Sequence, residues 1–188
     1  MASRIVDSSD YEVIRKDIFN KFVENSKGKP KGVGQLIEQI KHLNDQDFKF
    51  DNYTEKKIKR KNIVVYPIIV YTHAMYGAPG IRDYLNYEFK NRLASISDLK
   101  LKTVKNLTMI DLESFYRSVV LNNEFNLKRM IDKYLRVLSN RKKTWEKSKE
   151  LGDHMNMFPQ FETVNSDVFS GNNKPDIAKI MKLIGYKN

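Results

Sequence analysis

The 188 residues contain no cysteine. Disulfides, thiol nucleophiles and thiolate metal sites are therefore excluded. Long apolar runs are missing too. None reaches the roughly 18 residues of a membrane span, and the opening MASRIVDSSDYEV lacks the apolar stretch of a secretory signal. A cytoplasmic protein without a membrane partner is expected. The three histidines, His42, His73 and His154, are too scattered for a histidine metal site. No G-x-S-x-G elbow accompanies any serine. The lysine-bearing SKGKPKGVG stretch at 26–34 lacks the Gly-Lys-Ser/Thr ending of a P-loop and follows no strand, so it reads as a solvated connector. No internal repeat or low-complexity segment is present.

What the chain has in excess is positive charge. Thirty-four Lys and Arg stand against 23 Asp and Glu, a formal net charge of +11. A basic balance favours polyanions, with nucleic acid first among them. The charge is also clustered. Lys56, Lys57, Lys59, Arg60 and Lys61 form one run, and nine basic but only two acidic residues lie from Lys128 to Lys149. Within the second cluster, Arg129, Lys133 and Arg136 recur at helical spacing, and Arg141, Lys142 and Lys143 extend the ridge. Trp145 and Tyr134 lie nearby, though aromatics at such spacing are core residues by default.

The most apolar run, KNIVVYPIIVYTH at 61–73, reads as a buried strand. Pro67 inside it cannot donate a ladder hydrogen bond, which implies an edge, a bulge or a strand beginning at Ile68. A second strand is expected over 103–110. Helical periodicity predicts helices over 10–25, 33–43, 81–93, 112–120, 127–138 and 175–184, and 157–164 reads as a short strand or a packed loop. Strands alternating with helices give an α/β fold, a small parallel or mixed sheet flanked by about seven helices. One domain is expected, with a helical part over 1–44, a strand–helix core over 61–121 and a helical part over 125–188. So thin a sheet leaves strand edges unpaired, so either the chain holds further strands or it is one part of a larger fold.

KGVGQLIEQIKHL, the basic spacer, IVVYPIIVYTHAMYGAPGIRDYLNYEF and VKNLTMIDLESF together resemble the C-terminal portion of bacterial PD-(D/E)XK nuclease-like proteins. The resemblance covers roughly 32–116. In that superfamily a sheet carries Asp and Glu-x-Lys, which hold a divalent metal and activate water, and a helix beginning with Gln often follows. Gln35 resembles that glutamine. No Pro-Asp or strand-borne Glu-x-Lys element precedes it. Asp47-Phe48-Lys49, Glu55-Lys56-Lys57 and Asp98-Leu99-Lys100 fit the spacing but lie in polar, loop-like sequence. The resemblance thus implies an incomplete restriction-endonuclease-like fold without its catalytic half.

His73 and Asp111 each stand just past a strand, at one edge of a parallel sheet, where α/β sites form. Asp111 with Glu113 offers oxygen ligands for Mg²⁺. A helix cap for Asp111 and a polar strand end for His73 are the stronger readings. Three functions follow. The first is a non-catalytic or half-complete nuclease-like domain that contacts nucleic acid through its basic patches and needs no cofactor. The second is a protein partner that completes the sheet. The third is a Mg²⁺-dependent nuclease acting near His73, Asp111, Glu113 and Gln35.

Overall fold

The computed structural model describes residues 11–45, 59–78, 80–121, 126–145 and 160–165. Among these are six α-helices, two 3-10 turns and four short strands, an α/β fold. They sort into two compact units. One takes the chain up to Ile69 and again over Ile81–Leu107; the other takes Val70–Gly80 and the chain from Thr108 onward.

The first unit begins with α1 (Tyr11–Phe22) and α2 (Gly32–Asp45). The connector between them is an ordered turn. The Asn25 side-chain oxygen accepts from the Lys27 and Lys29 amides at 3.0 and 2.9 Å. Gly28 sits at φ +72°, a conformation that costs glycine little. The Lys31 amide donates to the Val23 carbonyl at 2.9 Å, which folds the chain back on itself. α2 packs on α1 and on α3 (Ile81–Ala94). Ile18, Val33, Ile37, Ile40, Leu85 and Phe89 meet in the core, each at the helical positions its periodicity predicts.

The apolar run expected as one strand is two. Pro67 divides β1 (Val64–Val65) from β2 (Ile68–Tyr71), because it has no amide hydrogen to continue the ladder. The strand expected over 103–110 divides likewise, into β3 (Thr103–Val104) and β4 (Thr108–Asp111). Here the cause is a side chain: Asn86 of α3 accepts the Leu107 amide at 2.9 Å, taking it out of any ladder. β1 pairs in parallel with β3, Val64 opposite Thr103 and Val65 opposite Val104. β2 pairs with β4, also in parallel.

The second unit holds the end of β2, a 3-10 turn over Ala74–Gly77, β4, α4 (Leu112–Leu121), α5 (Leu127–Trp145) and α6 (Phe161–Val164). The segment expected as a strand or loop near 157–164 is helical over its described part. α6 packs on α5 and β4 and turns Phe161 under Tyr134, the rings meeting edge-on at 5.5 Å. This settles Tyr134 as a core residue, 1% exposed. α5 runs past the expected end at Leu138, since no Gly or Pro stops it before Trp145. The helix expected over 175–184 lies outside the described residues.

The backbone approach at the start of α2 leaves no room for a side chain. A Cβ on Gly34 would lie 2.6 Å from the Val23 carbonyl oxygen and 2.9 Å from Pro30 Cβ. Gly34→Ala is therefore expected to destabilise the protein by about 2 kcal/mol, the usual cost of overpacking against backbone, read as a lower urea midpoint.

Candidate functional site

In the first unit two basic segments meet at one buried amide. Asn44, in the last turn of α2, is 4% exposed. Its Nδ2 donates to the Asp98 carbonyl at 2.9 Å and to Asp45 Oδ1 at 3.1 Å. Its Oδ1 accepts the Lys100 amide at 2.7 Å. Its own carbonyl accepts the Arg60 guanidinium. One residue thus joins the end of α2, the 3-10 turn at Arg60–Asn62 and the loop entering β3. Arg60 also places a cation on the negative end of the α2 dipole.

The parallel pairing continues this junction. The Thr103 amide donates to the Ile63 carbonyl at 3.4 Å and the Lys105 amide to the Val65 carbonyl at 2.9 Å. The Lys59–Lys61 segment and the Lys100–Lys102 segment, some forty positions apart in sequence, meet at Asn44 as they lead into the paired strands, while Lys105 lies just beyond β3 at the other end of the pair. Lys59, Lys61, Lys100 and Lys102 are exposed, whereas Arg60 and Lys105 are half-buried. Two acids lie among them: Asp45, and Asp98, which pairs with Lys100 at 2.8 Å. Asp98-Leu99-Lys100 is thus a loop ion pair ahead of β3, not a strand-borne motif. Reading the sequence finds Lys59–Lys61 but misses Lys100, Lys102 and Lys105. The alternation LKLKTVK was the signal, and it is short. Lys56 and Lys57 lie outside the described residues.

The second unit carries the other cluster on α5. Arg129 and Arg136 are exposed and Lys133 is half-buried, opposite the buried Met130, Ile131 and Tyr134. Lys128 pairs with Asp132 at 2.8 Å along the helix. The backbone of Arg141–Lys143 continues α5.

The candidate catalytic residues fall in both units. Gln35 is exposed in the first turn of α2, in the first unit. His73 and Asp111 belong to the second unit; His73 follows β2, Asp111 is the last residue of β4, and each caps what comes next. His73 Nδ1 accepts the Met75 amide at 3.2 Å. Asp111 Oδ2 accepts the Ser114 amide at 3.0 Å at the start of α4. Glu113 is exposed in the first turn of α4. No group of three or more His, Asp or Glu side chains suited to a metal occurs among the described residues.

A different grouping appears at the ends of β2 and β4. Glu162 of α6 accepts the Asp111 amide at 3.0 Å, so α6 is tied to β4 by a charge-assisted bond. Both carboxylates act on Tyr71, which is 8% exposed. Burial, and then the negative charges of Glu162 and Asp111, push the Tyr71 phenol well above its ordinary value near 10. Gln160 Nε2 donates to the Gly77 carbonyl at 2.9 Å, closing the loop after β2 onto the entry to α6.

No family model, curated protein or solved structure matches this chain.

Two outcomes test this geometry. Asn44→Ala removes the partners of the Lys100 amide and the Asp98 carbonyl at a part-buried junction, at a cost of about 1–2 kcal/mol, measured by urea unfolding. For Tyr71 the sign follows from the folded state holding its proton more tightly than the unfolded chain. Its contribution is intact below about pH 10 and is lost as pH rises above that value. Tyr71→Phe keeps the ring and does not titrate. Urea midpoints taken from about pH 8 to pH 11 should therefore fall less steeply for Tyr71→Phe than for the unaltered protein.

Proposed function

We propose that this chain is a nucleic-acid-contacting α/β module, a non-catalytic or half-complete nuclease-like domain. In the first unit Lys59, Lys61, Lys102 and Lys105 meet backbone phosphates. In the second, Arg129, Lys133 and Arg136 do so from the outer side of α5. The observation that carries this reading is the Asn44 junction, where two lysine-rich segments distant in sequence meet. Paired acids and bases of mixed sign are the usual dress of a solvated face. Here the two segments that meet at the junction carry five basic residues, Lys59, Arg60, Lys61, Lys100 and Lys102, against two acids, Asp45 and Asp98. Lysines of this kind act as point charges and position a duplex or strand without reading its sequence.

A protein partner is the second reading. Both sheets have two strands among the described residues, so an added strand would find open edges. Val70 of β2 stands exposed on one face.

Titration with labelled single- and double-stranded DNA and RNA over a salt series, with and without Mg²⁺, tests the proposal. Binding should weaken along a straight log–log line as salt rises. Lys61→Glu combined with Lys102→Glu should lower that slope by about two, one for each phosphate contact removed. Absence of binding at low salt would sink the proposal and favour a protein partner. Cutting that needs Mg²⁺ and vanishes in Asp111→Ala would move the chemistry to the ends of β2 and β4.

A further inference from the structure

A groove between α1 and α3, in the first unit, is separate from the lysine surface around Asn44. It encloses about 350 Å³ and is lined by Glu12, Val13, Arg15, Lys16, Phe19 and Tyr84. This is the small end of the range for ligand sites, suited to one flat group rather than a peptide segment. Two aromatic rings line it, one from each helix. The Arg92 guanidinium lies 5.9 Å from the Phe19 ring centroid and is itself paired with Glu24 at 3.1 Å. Glu12 pairs with Arg15 at 3.3 Å, keeping that guanidinium at the groove. Lys16 is exposed beside it.

Aromatic faces flanked by cations suit a flat, anion-bearing ligand. Bases stack on aromatic rings whatever their identity, and Arg and Lys track the adjoining phosphate. We propose that this groove takes one unpaired base of a single-stranded nucleic acid, stacked on Tyr84 and Phe19, with Arg15 and Lys16 on the flanking phosphate. A base within a duplex has both faces covered by its neighbours and cannot enter. The inference rests on the nucleic-acid reading and adds to it a preference for single strands.

The test is fluorescence anisotropy with a short labelled single-stranded oligonucleotide and with the duplex of the same sequence. Tyr84→Leu keeps an apolar side chain between the helices and removes the ring. Single-strand affinity should fall about tenfold, the worth of one base–aromatic stack, with duplex affinity unchanged. Lys16→Glu, at an exposed position, should lower single-strand affinity as well and keep the circular dichroism of the unaltered protein. If both variants bind single strands as the unaltered protein does, the groove is not a base site. Equal losses on both polymers in Tyr84→Leu would also overturn the inference. Duplex binding without single-strand binding would defeat the groove alone and leave the lysine surface standing. Failure to bind either polymer at low salt would defeat both.

Discussion

The side chain of Asn44 is the constraint on which the first unit depends. Its amide satisfies a carbonyl and an amide of the loop before β3, while its backbone carbonyl takes Arg60. A buried amide that meets its partners specifies one arrangement, since any other leaves polar groups stranded in a place without water. Parallel pairing needs such a device. Two strands of two residues each cannot fix their own register. With the end of α2 anchored on both, Val64 meets Thr103 and the lysines on either side follow. The charge pattern of the surface is thus set by a neutral residue beneath it.

The helices were largely legible because their apolar residues recur at helical spacing, as Val33, Ile37 and Ile40 do in α2. The strands were legible as apolar runs but not in their divisions. Pro67 announced one break. The break before Thr108 depends on Asn86, whose role lies in another element and leaves no local trace. α6 was misread as a strand or loop, since four residues of FETV carry too little periodicity to choose a state.

The candidate site was half visible. Lys59–Lys61 and the α5 ridge are dense enough in charge to be noticed along the chain. Lys100 and Lys102 meet the first cluster only through the tertiary junction at Asn44, whose role leaves no local trace in the sequence. Asp111 and His73 illustrate the opposite case. Their positions at strand ends invite a catalytic reading, yet each accepts a backbone amide at the start of a helical turn. Tyr71 was counted among the strand's apolar residues, while its phenol faces the influence of two carboxylates.

The chain enters the first unit, leaves it after Ile69, returns at Ile81 and departs again after Leu107. During synthesis the ribosome delivers α1, α2 and β1 well before α3 and β3, the elements they pack against. Asn44 therefore waits for partners more than fifty residues downstream. The first unit is a closed structure only once Leu107 has emerged, by which time the loop of the second unit has already been made. No single cut of the chain separates the two as intact pieces. Loss of the middle segment would also take Tyr71 from the buried core of the second unit.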